Sequence, residues 1–228
     1  SFKSANNSRA ADNEQLNTAF QQSALYARNT QTVDELLISS EVIAGVGHDL
    51  GKSSDRFPAD RISTYPHDEH LIINLRATNQ LGLFAQAYVH DQDWASRTER
   101  IGDRQNLSRY QSQTYGALFS HQHTDETSTN RWGIELTART NVDIAEIETP
   151  LGGDAMDVGL VDGGNERVSG VFADRMLFLG DTTLRVGGRL DQSQVSNDGS
   201  SRSETKLNAQ VQIDTRLRSD WFFAAELG

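Results

Sequence analysis

Residues 131–144, RWGIELTARTNVDI, carry two faces that do not match. Trp132, Ile134, Leu136, Ala138, Val142 and Ile144 share one parity, broken only by Thr140, while Glu135, Thr137, Arg139, Asn141 and Asp143 share the other. Successive side chains of a strand point to opposite sides, so the stretch predicts a long amphipathic β-strand. An apolar face can meet a protein core or lipid. A face carrying Glu and Arg can meet bulk water or the inside of a barrel. Which pair applies decides the class of the protein.

The same alternation recurs along the chain. In LIINLRATNQLGLFAQAYVH, Leu71, Ile73, Leu75 and Ala77 oppose Asn74, Arg76 and Thr78. After a turn near Asn79–Gln80, Leu81, Leu83, Ala85, Ala87 and Val89 oppose Phe84, Gln86, Tyr88 and His90. TYGALFSH precedes the 131–144 strand, and RVSGVFADRMLFLGDTTLRVGGRLDQ follows it with a turn at Gly180–Asp181. In KLNAQVQIDTRLRSDWFFAAELG, Leu207, Ala209, Val211, Ile213 and Leu217 alternate with Asn208, Gln210, Gln212, Asp214 and Arg216. With two weaker segments at 16–27 and 35–47, the pattern predicts about ten strands of roughly 8–13 residues and no helix. Connections alternate in kind. Tighter turns near 78–80, 121–131, 180–182 and 218–220 interleave with long polar loops at 48–69, 91–112, 146–167 and 192–204.

Short turns at one end and longer loops at the other fit a transmembrane barrel better than a soluble sandwich, whose strands average about 5–6 residues. The expected fold is therefore all-β, a transmembrane antiparallel up-and-down β-barrel, with residues 1–228 as a single barrel segment of a larger barrel. Its place would be the bacterial outer membrane. Mean hydropathy of −0.58 does not oppose this, because only every second residue of a spanning strand needs to be apolar. The polar faces would then line the lumen: Arg76, Gln86, Glu135, Arg139, Arg185, Arg189, Gln210, Gln212 and Arg216, with Asp214 beside them. An Arg facing lipid at the midplane costs about 2–4 kcal/mol, so a row of them belongs inside. Tyr65, Trp94, Tyr110, Tyr115, Trp132 and Trp221 sit near strand ends, where interfacial anchors belong.

Composition removes several alternatives. There is no cysteine, hence no disulfide, thiolate zinc site or covalently attached haem. A formal net charge of −11 argues against a nucleic-acid partner. No apolar run approaches the length of a membrane helix, and SFKSANNSRA has no apolar signal core. His121 and His123 form an H-x-H that on a strand would put both rings on one face, but no third ligand is spaced to join them and the pair is expected in a turn. His48, His67, His70 and His90 are scattered. HDQDW (90–94) and the loop around Asp154, Asp157 and Asp162 offer carboxylates without the spacing of a calcium loop. No nucleophile elbow, phosphate-binding loop or zinc-protease motif is present, and the chain is expected not to be an enzyme.

The order and texture of these segments resemble the MtrB/PioB family of outer-membrane barrels. SRAADNEQLN resembles that family's Asp-Asn loop before a strand. LIINLRATNQLGLFAQAYVHDQDWASRT resembles its hairpin closing on a Tyr-containing segment, D-x-D and Thr, and RWGIELTARTNVDIAEIET resembles the element that follows. The resemblance implies a sheath around a multihaem c-type cytochrome, in transmembrane electron transfer with the cell exterior. The cytochrome would lie inside the barrel and lipid outside it. Haem would sit on that partner, with no cofactor or metal bound directly by this chain and no catalytic residues. SGVFADRMLFLGDTTLRVGGRLD is similar instead to TonB-dependent receptor strands, which implies a barrel for siderophore or other nutrient uptake. A general porin is the third expectation.

Overall fold

The computed structural model describes residues 1–9, 15–52, 60–218 and 221–227. They form eleven strands: β1 (Phe2–Ala5), β2 (Phe20–Val33), β3 (Leu36–Lys52), β4 (Arg61–Asn79), β5 (Leu83–Arg100), β6 (Arg104–Thr124), β7 (Ser128–Pro150), β8 (Met156–Leu179), β9 (Thr182–Asn197), β10 (Ser200–Arg218) and β11 (Trp221–Leu227). All lie in one sheet in sequence order, each antiparallel to the next, with β1 and β11 at its edges among the described residues. The architecture is all-β and up-and-down, as the alternation predicts.

Register shows why the alternation matters. Ile73 and Leu75 of β4 stand beside Val89 and Ala87 of β5, and these beside Tyr115 and Ala117 of β6. Ala138 and Leu136 of β7 continue the row. Ile134 and Trp132 then meet Val171 and Ala173 of β8, which meet Leu190 and Gly188 of β9, and Leu190 meets Leu207 of β10. These side chains form one continuous apolar band on a single face, and they are not covered: Leu75 is 50% and Leu136 52% exposed. So large an uncovered apolar surface marks a face that meets another apolar medium. On the same face the band stops at Glu69, Asp91, Gln113, Gln192 and Thr205.

The strands run far past that band. β7 and β8 hold 23 and 24 residues, against the roughly 9–11 that cross a bilayer. Three of the four long polar loops expected from sequence are strand: 91–112 is β5 and β6 around a turn at 101–103, 146–167 is β7 and β8 around 151–155, and 192–204 is β9 and β10 around Asp198–Gly199. Of the fourth, 48–69, β3 and β4 claim the flanks, and 53–59 lies outside the described residues. Where both faces of a strand meet water no hydrophobic period remains, although the backbone ladder continues unchanged.

A bulge also corrects the 131–144 strand. Asn141 has φ 51°, and the pairing with β6 slips between Gln111 and Gln113. Beyond the slip Ile144 stands beside Tyr110 on the polar face, while Asp143 stands beside Gln111 on the face of the apolar band. The Asn141 amide turns to Gln113, its Nδ2 donating to Oε1 at 3.3 Å. One inserted residue reverses every later side chain, so neither Asn141 nor Ile144 keeps the face that strict alternation gives it.

Candidate functional site

The polar face is where charged groups converge. On β8, Asp174 receives Arg131 Nε from β7 at 2.8 Å and Arg185 Nη2 from β9 at 3.0 Å. One step along, Arg189 of β9 reaches Glu135 of β7 at 2.9 Å, and its Nε donates to both oxygens of Asp191 at 2.7 and 2.9 Å. Arg189 lies flat over the intervening strand because Gly170 is there: a Cβ at that position would stand 2.7 Å from Arg189 Nη2 and 2.5 Å from Asp191 Oδ1. The Phe172 ring supports Arg131 from below at 5.4 Å. Arg131, Glu135, Asp174, Arg185 and Arg189, with Asn208 and Gln210, line a groove of about 600 Å³.

Arg76, Gln86, Arg139, Gln210 and Gln212 lie on this same face. Arg76 stands opposite Gln86, whose Nε2 donates to the buried Asn74 Oδ1 at 2.9 Å. Arg139 pairs with Glu166 at 3.5 Å, and Gln212 Nε2 donates to Asp214 at 2.9 Å. Gln210 faces Gly187 in register. Arg216 pairs with Phe222 by backbone register, and its side chain lies outside the described ones, as does that of Trp221. Thus β7–β9 bring Glu135, Arg185 and Arg189 into one lattice, whereas Arg76 and Gln86 sit apart on β4 and β5. Sequence reasoning missed Arg131, Asp174 and Asp191. Asp174 lies in VFADRMLFL, where Phe172 and Met176 share its face and Arg175 the opposite one, so polarity does not sort the two sides.

The aromatic residues divide. Trp132 stands on the apolar face with Phe119 at 5.8 Å and His121 at 5.9 Å, a cluster suited to a membrane interface. Tyr115 ends the band on the same face. Trp94 and Tyr110, however, stack at 5.6 Å on the polar face, with Tyr65 edge-on to Trp94 at 6.3 Å, so these three do not serve as lipid anchors. His121 and His123 lie on β6 and not in a turn. Among the described residues no group of three or more His, Cys, Asp or Glu could hold a metal ion. In the 146–167 segment, Glu146 accepts from Asn106 at 2.9 Å and Glu148 pairs with Arg104 at 3.1 Å.

No protein-family model matches the sequence and no curated relative does. Solved structures do match the fold. The chain superposes on the copper transporter OprC with a TM-score of 0.74 at 13% identity, over 95% of this chain and 37% of that one. The FrpB iron transporter from Neisseria meningitidis gives 0.67 at 16%, over 98% of this chain and 40% of that one. The ferric citrate transporter FecA gives 0.61 at 11%, over 92% and 36%. The chain therefore has the fold of outer-membrane β-barrels and spans about two fifths of the length of the solved structures it matches. Its apolar face is the outside of a barrel wall in lipid, its polar face the inside, and its place is the bacterial outer membrane.

Proposed function

We propose that this chain is part of the wall of an outer-membrane uptake receptor, with metal ions or metal complexes as the class of cargo. The observation that carries the reading is the ion-pair lattice of Arg131, Asp174, Arg185, Glu135, Arg189 and Asp191 on the inner face at the depth of the lipid band. Fixed pairs of both signs suit contact with a folded polar body inside the barrel better than free flow of a solute past one sign of charge. The cargo named for the similar structures, copper, iron and ferric citrate, supports the choice of class. In this reading the strand extensions build a vestibule above the membrane, and a folded polar body inside the barrel gates it.

The same lattice favours a second reading, a sheath whose inner face contacts a multihaem cytochrome and insulates its electron path. One preparation separates the readings. The full-length protein, extracted in mild detergent and reconstituted into liposomes, is expected to show no haem absorbance and no swelling in isosmotic sugar. A retained haem spectrum would move the assignment to the sheath, and rapid swelling would move it to a general porin.

A further inference from the structure

Arg104, Arg131, Arg139, Arg185 and Arg189 have carboxylate partners. Arg28, Arg76, Arg100, Arg175 and Arg202 make no side-chain hydrogen bond or ion pair among the described residues, and neither do Arg97, Arg109 and Arg167. All three point outward. Arg167 stands beside Ala138, Arg109 beside Ala95 and Arg97 beside Leu107, each on the face of the apolar band. At a strand's rise and a barrel's tilt Arg167, Arg109 and Arg97 lie roughly 10, 15 and 20 Å beyond the apolar band, counted from Val171, Tyr115 and Val89 of their own strands. Arg167 is therefore the nearest of the three to the head groups that border the hydrocarbon, and Arg109 and Arg97 stand above it.

Beneath Arg167 the wall is furrowed. Ala117 and Ala138 are small beside Leu136 and Tyr115, which leaves a groove of about 440 Å³ that rises from those apolar side chains to Arg167, Gln192 and Gln194. No carboxylate lines it. A second groove of about 640 Å³ holds Arg97 and Arg109 over Leu107 and Ala145, and Asp93 and Asp143 also line that one. An apolar floor in the lipid band under a guanidinium and two amides has the polarity profile of a lipid: chain below, anionic head above. Guanidinium binds phosphate by paired hydrogen bonds, and Arg167 stands over its furrow with no carboxylate in the lining to compete for it.

We propose that the Arg167 furrow seats a phosphorylated glycolipid of the outer leaflet, its acyl chain along Leu136 and Ala138 and its phosphate on Arg167, with Arg109 and Arg97 meeting further head-group phosphates. The site is independent of what the barrel carries. The test uses the full-length protein extracted from outer membranes in mild detergent, with native mass spectrometry and phosphate assay of what remains bound. Wild type should retain phosphorylated glycolipid, and the variant R97Q/R109Q/R167Q should retain roughly fivefold less. R167Q alone should account for most of the loss, and R167K should restore part of it. The control is Arg175→Gln, which removes an equally outward arginine at the opposite rim of the band, beside Asn130, and should leave retention unchanged. Heat-modifiable migration shows that each variant is folded. A lipid-free wild type, equal retention by the triple variant, or an equal loss in R175Q would overturn the proposal.

Discussion

A methyl group placed on Gly133 would stand 2.5 Å from Phe172 Cζ and 2.6 Å from the carbonyl oxygen of Phe119. The ring can tilt, but the carbonyl belongs to the ladder of β6 and cannot move without breaking register. Gly133→Ala should therefore cost about 1–3 kcal/mol in denaturant unfolding of the lipid-reconstituted protein, while Gly159→Ala, where nothing lies within 4 Å, should be near neutral. At the other scale of charge, Asp125 closes the β6–β7 turn. Its Oδ1 accepts the Thr127 amide at 2.8 Å, the Thr127 hydroxyl at 2.9 Å and the Ser128 amide at 2.7 Å, and Oδ2 accepts the Ser128 hydroxyl at 3.1 Å. These donors, the Thr127 amide foremost, lower its pKa to about 2. A depressed carboxylate stabilises the turn fully above its unfolded value, and that contribution is lost as the pH falls towards 2. The carboxyl-carbon chemical shift of Asp125 should thus titrate near 2; a midpoint at the ordinary value of about 3.9 would show that the turn is not held this way.

Between elements, the pair lattice ties β7, β8 and β9 through side chains as well as backbone. Asp174 is its least exposed member, at 14%, and neutralises two arginines at once. Asp174→Ala leaves Arg131 and Arg185 facing each other without a counter-charge and should destabilise the folded barrel by about 1–3 kcal/mol. Arg189→Ala should cost less, about 1 kcal/mol or below, because Arg189 and Glu135 remain a third or more exposed and solvent screens them. A larger loss at Arg189 than at Asp174 in the same unfolding assay would reverse this ranking. Which of these elements sequence alone reveals follows from physics. Inside the band one face meets lipid and the other polar groups, so Leu184 to Leu190 displays a clean period of two, and Leu71 to Ala77 does so but for Ile72. Beyond it, Asp91, Gln92 and Asp93 are polar on both sides, and the strand leaves no signature. Asp198–Gly199 did carry one: both residues adopt positive φ, 47° and 75°, the requirement of a two-residue hairpin turn that Asp-Gly satisfies. Asn141 carries none, since a single Asn in a strand does not announce a bulge, and the faces of Ile144 and Asp143 could only come from the register. The interior lattice was legible in part, through Glu135, Arg185 and Arg189. Asp174 was hidden by the apolar residues that share its face.

For the molecule as a whole, the apolar band divides the wall unequally, and that asymmetry fixes its orientation. At one end the chain reverses within a few residues of the band, at Asp34–Glu35, 80–82, 125–127 and Gly180–Asp181. At the other end β5–β10 continue as paired sheet to the tips at 101–103, 151–155 and Asp198–Gly199. Outer-membrane barrels keep short turns in the periplasm and place their longer connections outside the cell, so the extended hairpins face outward. The Phe119–His121–Trp132 cluster then lies toward the periplasmic interface, and Arg167 toward the outer one. Residues 1–228 hold no cysteine, so a thiol introduced at one of these positions is the only one this stretch contributes. Gly152→Cys and Asp198→Cys should react with a membrane-impermeant maleimide on intact cells. Asp181→Cys and Glu126→Cys should react only after the outer membrane is permeabilised. Labelling of the second pair on intact cells, with the first protected, would mean that the wall is inserted the other way up, and would move the arginine furrow to the periplasmic leaflet.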